Sequence, residues 1–408
     1  MSHVVVIGCG VVGAAIAYEL SRVPDLKISV LDKQQPATAA TGAALGVLMG
    51  VISHKIKGKA WQMREASIQR YETLIPELEA ITKHQIRFNR QGILMLCFAE
   101  EDLARWQSLV KVRTSDGWQL EIWDAAKVKS RCPQINCDRL KAAVYSPQDR
   151  QVDPVSLTLA LVEAAKRNGV SFHFGVTVEE YDLATTTQHQ PRVRQIKTKA
   201  VGVEESPLIQ DVDWLIVSAG LGSLECLHPL VEKVEQGEKI IPQSPSIHSS
   251  SRDNSTQFEL GRMVDIRPVL GQAIQVKLKH PLGNPDFQPV ITGNDVHIVP
   301  CGGDAQATEY WIGATVEFPT DKGEIVAEAA TLDEVMQQAI AFCPALADST
   351  IVRTWSGLRP RPEGRPAPVI AHLPGSNIVL ATGHYRNGVL LAPATAGAIL
   401  QMISSSIT

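Results

Sequence analysis

The opening of the chain constrains its fold more than any other stretch. His3-Val4-Val5-Val6-Ile7 has the composition of a buried strand, and Gly8-Cys9-Gly10-Val11-Val12-Gly13 follows it as a glycine fingerprint. Ile28-Ser29-Val30-Leu31 then reads as a second strand that ends at Asp32. Strand, glycines, helix, strand and acid in that order predict a βαβ unit of the dinucleotide-binding kind. In such a unit Gly8 permits the tight turn and Gly10 lets a pyrophosphate approach the backbone. Gly13 lets the helix over 11–22 pack close to the sheet. The phosphates would sit at the N-terminus of that helix, where free N–H groups and the helix dipole favour negative charge. Asp32 would accept hydrogen bonds from ribose hydroxyls.

The chain has 408 residues, 44% of them apolar and 20% charged, with a net charge of −4. That length allows two domains and a large core. The charge offers no broad basic surface, which argues against nucleic acid as a partner. No apolar run approaches the ~20 residues of a membrane helix. A strand opening at residue 3 leaves no space for a signal peptide. The seven cysteines are scattered; only Cys132 and Cys137 lie close, and one such pair makes a poor zinc site. The expectation is a cytoplasmic protein with reduced thiols, no metal and no membrane span.

Beyond Asp32 the segment Ala39-Ala40-Thr41-Gly42-Ala43-Ala44-Leu45-Gly46 is almost free of bulk. A helix is predicted over 59–74, stopping before Pro76, then a strand over 92–98 and a helix over 101–110. Asp124 can cap a helix that ends near Arg131. Asp153-Pro154 opens an amphipathic helix closed by Asn168-Gly169. Short strands are predicted over 170–174 and 176–178, and a buried strand over 213–217 runs into a turn at Ala219-Gly220. The stretch 236–262 is polar and reads as an exposed insertion, open to disorder. Strands over 272–278, 296–299 and 310–316 suggest a second, largely antiparallel sheet, followed by a helix over 332–342. The end reads as strand 378–381, loop 382–388 and helix 394–403.

Nucleotide-type strands recur near residues 30, 175, 215 and 380. The expected fold is therefore α/β, with a discontinuous Rossmann-like domain (1–85, 140–225 and 345–408). An α+β substrate domain would take 86–139 and 226–344. A nicotinamide enzyme would more often keep its nucleotide domain continuous, so this arrangement favours a flavin.

The tail is the most specific part of the sequence. Gly357-Leu358-Arg359-Pro360, Glu363-Gly364-Arg365-Pro366 and Ala381-Thr382-Gly383-His384-Tyr385-Arg386-Asn387-Gly388-Val389-Leu390-Leu391-Ala392-Pro393-Ala394-Thr395 resemble the FAD-dependent D-amino-acid oxidase and sarcosine oxidase family, and its glycine oxidases above all. The resemblance extends to the N-terminal fingerprint, the Thr41–Val47 loop, Asp153-Pro154, the Ser218-Ala219-Gly220 turn and Ile312-Gly313-Ala314-Thr315. It implies FAD with Val11 and Val12 at the pyrophosphate, Asp32 and Lys33 at the adenine ribose, and Val178 at the adenine. Ala40-Thr41 and Leu45-Gly46-Val47 would run along the flavin. Residues His384 through Leu390, behind Gly383, would wrap its pyrimidine edge. The small residues Gly42, Ala43 and Ala44 would let backbone N–H groups reach a ring, and Asn387-Gly388 can form a turn whose donors face it. Sarcosine oxidases tether flavin to a cysteine near this region; no cysteine follows Cys343 here, so non-covalent FAD is expected.

The same resemblance makes Arg359 the holder of a substrate carboxylate, with Arg386 nearby beside the flavin. A guanidinium suits that task because it offers two parallel charge-assisted hydrogen bonds; the plain alternative for each is a salt bridge on a loop. Two positions depart from the glycine oxidase pattern: His297 stands for a tyrosine and Val316 for a methionine. His297 is left open as a carboxylate partner, a base near neutral pH, or an ordinary strand histidine. For His384 a structural role is favoured over acid–base work. The implied reaction is oxidation of a small amino acid to an imine and then a 2-oxo acid, with dioxygen as acceptor. A 2-hydroxy acid such as 2-hydroxyglutarate, or a quinone acceptor, is the alternative, and a homo-oligomer is left open.

Overall fold

The structure is a computed structural model and describes residues 1–98, 103–185, 191–200, 209–227, 265–301 and 308–407. Strand Ser2–Ile7 lies at the centre of a six-stranded sheet because both its faces are apolar: Val4, Val5 and Val6 expose no surface. Parallel neighbours are Leu26–Asp32 and then Ser171–Phe174 on one side, Trp214–Val217 and then Ile378–Thr382 on the other. Val369–His372 closes the edge antiparallel. The four sequence regions expected to carry nucleotide-type strands thus meet in one sheet.

Helix Val11–Leu20 is buried almost all round, as its uniformly apolar sequence requires. It packs against Pro154–Arg167 and Gly388–Ile407, and the latter also contacts Gly58–Thr82. Asp153 caps Pro154–Arg167 by accepting from the N–H groups of Val155 and Ser156, and Asp124 caps Ala125–Arg131 through Lys127, both as the sequence predicts.

Four helices overrun their predicted ends: Leu103–Ser115 and Ala329–Phe342 by less than two turns, and two others across a proline. Gly58–Thr82 continues through Pro76, since Leu74, Ile75, Leu78 and Thr82 bury one continuous face on either side of it. Gly388–Ile407 starts six residues earlier than expected and contains Pro393. Proline there has no N–H for the Val389 carbonyl, and the buried Tyr71 hydroxyl donates to that carbonyl instead, at 2.5 Å. This helix is long and apolar enough to cross a membrane, but Ala396, Ile399 and Ile403 are wholly buried in the core.

A second, eight-stranded sheet runs Thr350–Pro362, Ile266–Lys277, Glu309–Gly313, Val296–Pro300, Val290–Gly293, Ile93–Cys97, Ala142–Ser146, Glu121–Trp123. Only the pair Val290–Gly293 and Ile93–Cys97 is parallel. Ala142–Ser146 and Thr350–Pro362 fall in ranges expected for the nucleotide domain, yet both are strands of this sheet. Thr350–Pro362 pairs along its length with Ile266–Lys277, a partnership that chain position does not reveal. The strand at 176 is longer than expected, Val176–Thr185, and pairs antiparallel with Pro191–Ala200, whose outward lysines and arginines hide the inward Val193 and Ile196. The polar stretch 236–262 lies outside the described residues.

Candidate active site

The C-terminal ends of the parallel strands converge on one cavity of about 1090 Å3, where open α/β sheets bind ligands. This exceeds the ~300–1,000 Å3 of ordinary small-molecule sites. Strand Ser2–Ile7 delivers Gly8, whose φ of +101° leaves no place for a side chain: a Cβ would lie 2.7 Å from the backbone of Ser218 and Ala219. A Cβ on Gly13 would lie 1.9 Å from the Gly8 carbonyl oxygen, so helix and strand touch through backbone alone. Asp32 is fixed by two donors, the Cys9 N–H on Oδ2 at 2.6 Å and the Gln34 N–H on Oδ1 at 2.8 Å. Each oxygen keeps a lone pair for a hydroxyl of a ligand. The Val11 N–H at the helix start donates to the Thr41 hydroxyl at 3.0 Å. A glycine cradle, a helix N-terminus and an anchored carboxylate along one long cavity fit FAD.

Of the predicted cofactor residues, Gly8, Gly10, Val11, Val12, Asp32 and Lys33 line the cavity, as do Ala40 to Ala44, Val178, Ala219 and Gly220. At the far end Gly383, His384, Tyr385, Arg386, Gly388 and Val389 line it together with Arg359. Lys33 stands at the rim, paired at 3.0 Å with Glu225. Seven predicted residues lie off the cavity. Gly13 faces the Gly8 carbonyl. Leu45 packs with Ile93, Ala273, Val290 and Val299. At Gly46, with φ of +70°, a Cβ would meet the Val152 carbonyl oxygen at 1.7 Å. Val47 begins a short strand paired with Arg150–Val152. Asn387 donates its N–H back to the His384 carbonyl, and Leu390 is buried in the core. His297 is on Val296–Pro300 of the eight-stranded sheet, three places from Thr350–Pro362.

The pairing of that sheet explains how His297 and Arg359 come to share a face. Trp355, Gly357 and Arg359 alternate along Thr350–Pro362 and share one face. Directly opposed residues share a face too, so Ala273 joins Trp355, Gly313 joins Ala273, and His297 joins Gly313. The face is floored with small residues between a tryptophan and a histidine. Trp355 was missed from the sequence: its Nε1–H donates to the Ala43 carbonyl at 3.1 Å and ties the sheet to the turn Ala40–Ala43.

Arg359 donates from Nη1 to the Leu270 carbonyl at 2.9 Å and the Thr315 carbonyl at 3.0 Å. Among the described residues it has no carboxylate within ion-pair distance. Burial, and then the neighbouring Arg386, hold its guanidinium below the usual arginine range. Arg386 stands at the mouth with Asp295 4.0 Å away. His297 is pushed down to about 4 by burial first and by Arg386 next, with Asp295 opposing. Its Nδ1 shares a hydrogen bond with the Thr292 hydroxyl at 2.9 Å. Burial alone pushes His384 down to about 4, and its Nε2 meets the Thr395 hydroxyl at 2.9 Å. That bond staples the loop to the last helix. Two cations at one end of the cavity, without a buried carboxylate between them among the described residues, call for an anion.

Comparison with known proteins agrees with this geometry. A family described as DAO, FAD dependent oxidoreductase, matches residues 3–402. The bifunctional protein ThiO/ThiG of Trichormus variabilis is 28% identical over 407 residues, covering 98% of this chain and 52% of that protein. The chain thus spans about half the length of that relative. Glycine oxidase of Bacillus subtilis is 26% identical over 403 residues, covering 98% of this chain and 92% of its own. The solved glycine oxidase from Bacillus cereus superposes with a TM-score of 0.77 at 22% identity, covering 100% of this chain and 96% of that one, a likeness of fold. The chain belongs to the DAO family of FAD dependent oxidoreductases.

Proposed function

We propose that this protein oxidises a small amino acid, of the glycine, sarcosine or D-amino-acid type, at its α-carbon, with dioxygen as the final acceptor. The observation that carries this reading is Arg359: a guanidinium without a carboxylate partner among the described residues, in the same cavity as the dinucleotide cradle. In the cradle, Gly8, Gly10, Val11 and Val12 would hold the pyrophosphate of FAD. Asp32 and Lys33 would hold its ribose, and Val178 would meet the adenine. Ala40 to Ala44 and Gly383 to Val389 would surround the ring. Bound FAD supplies a two-electron acceptor.

The protein's own work is positional. Arg359 would grip the carboxylate through two parallel N–H donors, and Arg386 would add a second charge at the mouth. With one end fixed, the Cα–H can be aimed at the acceptor, and orientation of this kind is worth up to ~7–11 kcal/mol of barrier. The hydrogen leaves Cα with its electron pair while the nitrogen lone pair forms the C=N bond; water then splits the imine. The substrate need only bind as the free amine, so no strong base is required. In the unliganded site His297 is held down to about 4 by burial first and then by Arg386, so it adds no third positive charge there. A bound carboxylate would offset the two arginines and raise that value. The seven free cysteines support a cytoplasmic reading.

The test is turnover of glycine, sarcosine, D-alanine and 2-hydroxyglutarate, with oxygen uptake and released ammonia or methylamine measured together, and of proline, with oxygen uptake and the ring imine measured together. Oxygen consumed in step with amine release, without added dye, is the expected result. Turnover of 2-hydroxyglutarate alone would replace the amino acid by a hydroxy acid. Turnover only with a quinone dye would replace the acceptor.

A further inference from the structure

We propose that Gly271 is a positioning residue for carboxylate recognition: it is the seat on which the Arg359 guanidinium lies. The inference rests on the reading of Arg359 as the carboxylate holder. A Cβ on Gly271 would stand 2.2 Å from Nη2, 2.3 Å from Nη1 and 2.4 Å from Cζ of Arg359. Those are contacts with a whole planar head. Gly271 sits in the extended strand Ile266–Lys277, opposite Gly357, and has no positive φ. Glycine is therefore needed there for space and not for its backbone freedom.

The seat is built to hold the head in one pose. Nη1 is committed to the Leu270 and Thr315 carbonyls. Leu270 is locked by a pair of backbone bonds with Glu317, at 2.9 and 3.0 Å, and Thr315 Oγ1 accepts from the Gln272 N–H at 2.8 Å. With Nη1 occupied and one flat side on Gly271, the donors without a hydrogen-bond partner among the described residues are Nε and Nη2. Those two lie on one edge and form the fork that meets a carboxylate. A methyl at 271 would lift the head off its two carbonyls and tilt that fork.

The experiment uses the FAD-loaded protein and acetate as a non-reacting carboxylate, with its Kd measured by calorimetry. The variants are Gly271→Ala, Arg359→Lys and the double change. Gly271→Ala is expected to weaken acetate roughly 10- to 100-fold and to raise KM for the amino acid more than it lowers kcat. In the Arg359→Lys background, where no planar head remains, it should add less than about two-fold. Equal weakening in both backgrounds, or no weakening with Arg359 present, overturns the proposal. Unchanged acetate binding in Arg359→Lys would instead sink the reading of Arg359 itself. If Gly271→Ala fails to fold but the double variant folds, the contact is the cause and the proposal stands. If neither folds, Gly271 serves the strand alone and the proposal falls.

Discussion

Arg359 keeps its charge in a place where burial and a second guanidinium both oppose it, and a bound anion would remove that penalty. Arg359→Lys retains the charge but loses the fork, so kcat/KM for the amino acid should fall on the order of 100-fold, mostly through KM. Steady-state kinetics over a wide substrate range will show it. His297 and His384 bring a pH dependence whose sign is fixed. Both are held near 4 in the fold, against 6.5 ordinarily, so the unfolded chain takes up protons first. Stability is whole above pH 6.5 and drains as pH falls toward 4. By pH 5 each histidine should have withdrawn about 2 kcal/mol. Urea unfolding at neutral pH and at pH 5 tests this, and His384→Asn should remove about half of the slope. The glycines and Asp32 were readable from sequence because their order and spacing fall within one short βαβ window, even though Gly8 packs on Ser218 and Ala219. The neutrality of His297 was not, because its causes are burial by the folded sheet and then the charge of Arg386, 89 residues away in sequence.

The first βαβ element depends on a contact with no side chain in it. Gly13→Ala would place a methyl against the Gly8 carbonyl and push the helix off the strand. A loss of ~3 kcal/mol or more is expected, with a fall in bound FAD read from the absorbance ratio of the purified protein. The turn 50–55 is clamped from two sides. Fully buried Asp149 accepts from the N–H groups of Gly50, Val51 and Ile52. Buried Arg113 donates to the carbonyls of Val51, Ser53 and Lys55. Asp149→Ala strips three donors of their acceptor and should cost roughly 3–5 kcal/mol; Asn, which keeps one oxygen, should cost less in the same thermal melt. Helices were largely readable from caps and periodicity, and their ends failed at Pro76 and Pro393. Proline is a local signal, and distant partners such as Tyr71 overrode it. Strands failed differently: the face and neighbours of Thr350–Pro362 are set by register, which no short window contains.

The cavity joins backbone turns of the six-stranded sheet to side chains of the eight-stranded one, with Trp355 bridging them at Ala43. With no cysteine after Cys343, acid precipitation should release all of the flavin into the supernatant. Readdition of FAD at 100 times its Kd should stabilise the protein by about 2.7 kcal/mol, measured as a rise in Tm. Retention of colour in the pellet would instead mean a covalent tether. The overall class and the discontinuous plan were readable because the strand compositions differ between the two sheets. The order of strands in the six-stranded sheet has a further consequence. Its central strand is Ser2–Ile7, whereas the neighbour-but-one, Ile378–Thr382, and the covering helix Gly388–Ile407 follow it at very long sequence separation. A nascent chain must therefore carry Val4, Val5 and Val6 without their final cover until Gly388–Ile407 has been made. Fragments ending before Ile378 should therefore expose the central strand and aggregate, which light scattering beside the 408-residue chain will show.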